Sequence, residues 1–507
     1  MTRKQDILDE NTKRTKGSDA LNSNIEAAKA LASIVKTTLG PMGMDKMLID
    51  SMGESIITND GVKILKEMEI EHPGAKMLVE VAKTQENEVG DGTTTAVILS
   101  GELLSEAQEL LHKKIHPTII VRGYKKASIK AIEILKENSI NIDTTSKKAL
   151  QDICETAMTG KVADSSKEVL SEILYHAVTL VSANNEIPSD SIRDIANSNM
   201  PKKIIMPNVL LIDFPLEVRE LDSSANLQIS TPQDYENFLN REHEYLKNLA
   251  TKITKIGCNV VICQKGIDDN VAYYLAKNNI LAVRRTRKSD MKRLSIALNA
   301  RIISNVEDLH QISTAKASVV EVKKLIDENY VFIEGLNEVK AITLVLKAST
   351  KHILDEIERA ADDAIGDLNS VLKSKKIVAG GGAIELEIYK NLMQYSRELE
   401  GKEQLVVEAY AKAFLSIPKT LCENSGFDEI ETISKLISNH EKGLKKSGIE
   451  GFTGVVADTT KYRIIEPINL KLQAIKSATE ISSMILRIDD IIAARKLGTD
   501  IRGKSNL

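Results

Sequence analysis

The chain opens on helical spacing. In SDALNSNIEAAKALASIVKTTLG, the residues Leu21, Ile25, Ala28, Leu31, Ala32, Val35 and Leu39 recur so as to share one helix face. Ser18 stands at the capping position and Gly40-Pro41 ends the run. The period then shortens: KMLID and SIITN read as two strands joined as a hairpin across Ser51-Met52-Gly53-Glu54. Two helix starts of one design follow, TNDGVKILKEME and GDGTTTAVILSGELLSEAQELL, each opening on an Asp-Gly turn. HPTIIVRGYKKASIKAIEILKE continues the helical pattern, which extends through Thr156.

The middle of the chain changes period. KIIMPNVLLID, from Lys203 to Asp213, predicts a strand, and TPQDYENFLNREHEYLKNLATKI an amphipathic helix with Thr231 as cap and Pro232 in its first turn. Tyr235, Phe238, Leu239, Leu246, Leu249 and Ile253 form its apolar face. After Gly257 strands and helices alternate: NVVICQ, DDNVAYYLAKNN, ILAVRR, SDMKRLSIALNA and RIISN, the signature of a small α/β domain. Long helices return with STKHILDEIERAADDAIGDLNSVLKS. The last, KLQAIKSATEISSMILRIDDIIAARKL, places Leu472, Ile475, Ile481, Met484, Ile485, Ile488 and Ile492 near one stripe. An all-α, α/β, all-α order is what a domain inserted between the two halves of another produces.

Composition narrows the class. The 507 residues exceed one ordinary core, and 42% are apolar but only 3% aromatic, with no tryptophan, which favours aliphatic helix packing. Sixty-eight bases nearly balance 72 acids, so no global field draws the chain to nucleic acid or to an anionic membrane. The scarcity of aromatics also disfavours single-strand stacking. The basic run VRRTRKSDMKR reads as a solvated face. No apolar run approaches the roughly 20 residues that span a bilayer, and a cytoplasmic protein is the expectation. Cys154, Cys258, Cys263 and Cys422 are too few and scattered for a disulfide framework or a zinc site, and read as core thiols.

Candidate chemistry concentrates in EVGDGTTTAV. A helix N-terminus offers unpaired N–H groups and partial positive charge to an anion; Gly90 and Gly92 allow close backbone approach, and Thr93, Thr94 and Thr95 add donors. Asp91 repels a bare phosphate and makes sense beside one only across a magnesium ion. The alternative is an ordinary Asp-Gly turn with a threonine cap. The Walker ending Gly-Lys-Ser/Thr is absent, and TTLGPMGMDK places Lys46 too late, in a strand. Asp60 in TNDGVKIL, the loop TTLGPMG and the loop AGGGAIE are further pieces that gain meaning if they converge.

Six segments together resemble the group II chaperonins, the archaeal thermosome and its eukaryotic cytosolic counterpart: VKTTLGPMGMDKMLID, the stretch from ITNDGVKIL through GDGTTTAVILSGELL, NVVICQKGIDDNVAYYLAKNNILAVRR, DEIERAADDAI, AGGGAIELE and EPINLKLQAIKSATEISSMILRIDDIIAA. The likeness spans nearly the whole chain and is most similar to archaeal thermosome subunits. It implies a multi-domain α and α/β fold. Residues 1–146 and 377–507 would form a mostly helical equatorial ATP-binding domain, 147–193 and 342–376 a small α/β intermediate hinge, and 194–341 an inserted α/β apical substrate domain with a helical protrusion near 225–255. The resemblance further implies an ATP hydrolase driving a chaperone that encloses non-native polypeptides in a double ring of like or related subunits. Its site would comprise Leu39, Gly40 and Pro41 with residues 90–95 at the phosphates, Asp91 on magnesium and Asp60 orienting water. Asp363 would be the catalytic aspartate, Lys161 would sense the γ-phosphate, and Gly381 and Glu466 would face the ribose and base.

Three features depart from the family pattern. Met42 stands where many members carry a basic residue; the span LVSANNEIPSDSIRDIANSNMPKKIIMPN is shorter than usual; and the tail GKSNL lacks the Gly/Met repeats of some members. The shortening leaves open a mainly structural or regulatory subunit of a mixed ring. A metabolic phosphotransferase is the competing reading from another class.

Overall fold

The computed structural model describes residues 12–49, 53, 55–181, 195–197, 199–218, 232–310, 314–325, 328–334, 344 and 346–494. They form two compact units, one from Met1–His176 with Leu346–Leu507 and the other from Ala177–Val345.

In the first unit the helical spacing is realised as packing. The helix Ser18–Lys36 buries Leu21, Ile25, Ala28, Leu31, Ala32 and Val35 against the helix Thr93–His112. The two approach closely because Gly101 faces Ala32: a Cβ on Gly101 would lie 2.4 Å from that of Ala32. Ser18 is the first helical residue rather than the cap, which falls on Gly17 without a side-chain bond. The helices Pro73–Val89, Pro117–Glu137, Lys402–Ala413 and Ile468–Ile485 complete the core. At its centre the ring of Tyr124 stands edge-on to that of Tyr410, 5.2 Å between centroids. Burial of these phenols obliges each to find a partner. Tyr124 donates to the Leu103 carbonyl at 2.6 Å, and Tyr410 bonds the Thr479 hydroxyl at 2.7 Å.

Among the described residues, four small antiparallel sheets edge this unit. The expected hairpin pairs Lys46–Ile49 with Ser55–Thr58; of its turn only Gly53 is described. The long C-terminal helix, in contrast, ends at Ile485. Residues Asp490–Ala494 form a strand antiparallel to Thr12–Lys16, with Thr12 opposite Ala494. The β-branched run Ile488, Ile491, Ile492 continues an apparent helical stripe by coincidence of spacing. The remaining two sheets join Ile465–Pro467, Lys376–Ala379 and Ile140–Asn141, and Ser447–Ile449 with Val456–Asp458.

The second unit is the expected α/β alternation. Val260–Cys263 and Ile302–Ile303 run parallel to Asn208–Ile212, and Leu281–Val283 runs parallel to Val260–Cys263. The run from Lys203 to Asp213 is not one strand. Met206, at φ 52, breaks it, so that Lys203–Ile205 pairs with Val319–Leu325 in a separate antiparallel sheet. The helix Pro232–Lys255 divides along its length: Leu246, Leu249, Ala250 and Ile253 are buried, whereas Tyr235 and Leu239 are exposed. Its expected cap Thr231, residues 182–194 and 198 of the shortened span and the GKSNL tail lie outside the described residues. All four cysteines are buried and unpaired.

Candidate functional site

A cavity of about 360 Å³ opens within the first unit, walled by segments from both ends of the chain. That is a volume suited to a nucleotide-sized ligand. Leu39, Gly40, Pro41, Asp60, Asp91, Gly92, Thr93, Thr94, Thr95, Lys161, Asp363, Gly381 and Glu466 all line it. Gly90 does not. It ends the helix Pro73–Val89 in the left-handed region, φ 95, and a Cβ there would meet Gly366 Cα at 3.1 Å.

Each loop is held by contacts that no local pattern announces. Asn424, distant in sequence, donates through Nδ2 to the carbonyls of Lys36, at 3.0 Å, and Leu39, at 2.7 Å. The fully buried Gln85 does the same for the next loop, donating Nε2 to the Asp91 carbonyl at 2.9 Å and to that of Leu470 at 3.1 Å. The helix Thr93–His112 begins after Gly92, φ 77, and no side chain caps it. Its first residues line the cavity, so its orphan N–H groups are available to an anion. The threonine cap of the alternative reading is absent. Asp60, in contrast, is a capping residue: its carboxylate accepts from the N–H groups of Val62, at 3.1 Å, and Lys63, at 3.3 Å.

On the facing wall the ammonium of Lys161 is ion-paired with Asp363, both side chains about a fifth exposed. Lys161 leaves the loop at Gly160, whose φ is 79 and where a Cβ would lie 2.5 Å from Pro41 Cα. Only glycine permits this approach of the Lys161 loop to the Leu39–Pro41 loop. Burial would lower the Lys161 pKa, but Asp363, Asp91 and Asp60 together hold it raised. Burial also raises the Asp363 carboxyl above the ordinary carboxylate range, Asp91 and Asp60 add to that, and Lys161 opposes it.

Two further acidic features were invisible in the sequence. Asp367, one helical turn beyond Asp363, lines the same cavity at 2% exposure with Oδ1 unpartnered. Lys471 reaches Glu466 at 2.5 Å and Glu385 at 2.8 Å. Nothing in the local sequence distinguishes either residue from a solvated helix charge. Met42 is exposed and lies outside the cavity wall.

The wall fits Mg-ATP in kind. It offers a helix start and glycine loops for phosphate and carboxylate oxygens for a hard cation. Among the described residues no three acidic, histidine or cysteine groups are placed to hold a metal unaided. Magnesium is commonly bound by one or two carboxylates together with substrate phosphate.

Comparison with known proteins agrees with this architecture. The model of the TCP-1/cpn60 chaperonin family matches residues 31–196 and 192–496. The chain is 46% identical to a thermosome subunit of Methanopyrus kandleri, over 97% of this chain and 95% of that protein. It is 45% identical to one of Pyrococcus horikoshii, over 98% and 95% respectively. It is also 45% identical to thermosome subunit beta of Methanothermobacter thermautotrophicus, over 99% and 97%. The chain belongs to the TCP-1/cpn60 chaperonin family, as a group II, thermosome-like subunit. Its activity is ATP hydrolysis coupled to protein folding in a ring complex. Among the described residues no helix is long and apolar enough to cross a membrane.

Proposed function

We propose that the cavity is the Mg-ATP site and that hydrolysis there drives closure of a built-in lid over non-native polypeptide. The observation that carries this reading is that the Lys161–Asp363 ion pair and the uncapped start of the Thr93 helix line one cavity. Main-chain N–H groups at residues 92–95 and at Gly40 would hold the phosphates, with Leu39 and Pro41 shaping the loop around them, and Asp91 would hold magnesium. The metal supplies charge neutralisation to the phosphates. Lys161 contacts the terminal phosphate, and its departure from Asp363 on doing so leaves that carboxylate open to position and deprotonate water. Asp60, fixed by its own capping bonds, helps orient the water. Gly381 and Glu466 face the nucleoside end, and Gly90 supports the turn that presents Asp91.

The three-domain division expected from the resemblance fits this chemistry. In that division Asp363 and Lys161 belong to the intermediate segments, Asp91 to the equatorial ones, and the exposed first half of the helix Pro232–Lys255 to the lid. Relatives named thermosome subunit alpha and beta within one organism support a ring of related subunits. A cytoplasmic location agrees with four buried cysteines that form no disulfide. The test is equilibrium binding of a fluorescent ATP analogue with and without magnesium. Asp91→Asn should abolish the magnesium-dependent gain in affinity; an unchanged gain contradicts the metal assignment.

A further inference from the structure

The nucleoside end of the cavity contains a buried charge cluster that the hydrolytic chemistry does not use. Lys471, in the first turn of the helix Ile468–Ile485, places Nζ 2.5 Å from Glu466 Oε2 and 2.8 Å from Glu385 Oε1. The side chains of Lys471 and Glu385 are 7% and 4% exposed, whereas Glu466 keeps 19%. Glu466 is the most exposed member of the cluster, and it lines the cavity together with Lys471.

Glu466 is confined on its other side as well. A Cβ on Gly380 would lie 2.8 Å from Glu466 Oε1, so glycine at that position lets the carboxylate lie against the backbone. The Lys471 ammonium has three N–H donors and both carboxylates accept from it, yet Glu385 is buried with Oε2 unpartnered. A buried acid without full hydrogen bonding costs stability, and such costs concentrate where a side chain has to be held in one position.

We propose that Lys471 is a positioning residue for nucleotide selection: anchored by Glu385, it fixes the Glu466 carboxylate to accept hydrogen bonds from the ribose hydroxyls. This rests on the assignment of Glu466 to the nucleoside end. A ribose presents two neutral O–H donors, and a carboxylate immobilised on one oxygen and packed on the other discriminates them by geometry. Without Lys471 the carboxylate turns freely toward solvent and the discrimination disappears, while the phosphate end is untouched.

The test uses the full-length protein with magnesium, comparing ATP with 2′,3′-dideoxy-ATP in equilibrium binding and in turnover. The parent should prefer ATP by at least about tenfold, the equivalent of one charge-assisted hydrogen bond. Lys471→Met alone strands the Glu385 charge and is prone to misfold, so the deciding variant is the double Glu385→Gln, Lys471→Met, which leaves no buried unpaired acid at Glu385. It should bind the two nucleotides within about twofold of each other, a difference below about 0.4 kcal/mol. Its loss should fall on KM rather than kcat. Glu385→Gln alone, whose amide oxygen still accepts from Lys471, should retain the preference. A double variant that discriminates as the parent does, or a parent with no preference, overturns the proposal. A parent that binds neither nucleotide overturns the site assignment instead.

Discussion

Asp367 is a buried acid among acids, and replacing it should stabilise the protein. Its side chain is 2% exposed, Oδ1 has no partner, and burial holds its pKa well above the carboxylate range. Asp91, Asp363 and Glu466 raise it further; only Lys161 opposes, and Lys161 is paired with Asp363. Leucine has the same branching as aspartate and a higher helix propensity. Removing an unpartnered buried polar group in this way should add about 1–3 kcal/mol at neutral pH. The pH dependence follows from the direction of the shift. Above about pH 4 the unfolded chain ionises this residue while the folded chain keeps the proton, so rising pH favours unfolding by up to about 1.4 kcal/mol per unit until the raised native value is passed. Urea midpoints of parent and Asp367→Leu, taken between pH 5 and 8 without nucleotide or divalent metal, should diverge as pH rises. A variant no more stable than the parent at pH 7, or a gap that does not widen with pH, refutes the reasoning.

The buried pair Glu387–His440 should show the opposite trend. Burial would raise the Glu387 pKa, but hydrogen bonds from His440, at 2.8 Å, and Asn391, at 3.0 Å, hold it lowered. Glu387→Gln should therefore cost about 1–3 kcal/mol near neutral pH, and the deficit, present above about pH 4.3, should shrink as pH falls through the native value in the same urea series. Gly160→Ala would force a Cβ to within 2.5 Å of Pro41 Cα, displacing the Lys161 loop; turnover at saturating ATP should fall by at least about tenfold. Gly101→Val would drive the helices Ser18–Lys36 and Thr93–His112 apart at Ala32. An apparent loss of about 1–3 kcal/mol in chemical unfolding is expected.

Helices whose apolar residues repeat at one period were legible, as in Ser18–Lys36, because burial of that stripe is what holds them. The strand Asp490–Ala494 was not, since its partner Thr12–Lys16 lies at the opposite end of the chain and its own isoleucines extend the preceding helical stripe. Likewise Lys203–Asp213 reads as one apolar run, and only the backbone turn at Met206 assigns its halves to two sheets. At the site, the glycine loops and the bare helix start carried a local signature. The facing wall did not: Lys161 and Asp363 stood out through family likeness alone, and Asp367, Gln85, Asn424 and Lys471 act through contacts with distant segments. Physical pairing of such groups is decided by tertiary structure, to which a local window of sequence is blind.

In the proposed site Asp363 performs hydrolysis while other residues bind the nucleotide. Asp363→Ala should bind Mg-ATP within about threefold of the parent, a difference below about 0.7 kcal/mol, yet lose steady-state phosphate release by at least about a hundredfold, the scale of a positioned acid–base group. Measuring both quantities on one preparation decides the matter. Parental turnover in that variant, or loss of turnover only in step with loss of binding, would contradict the account.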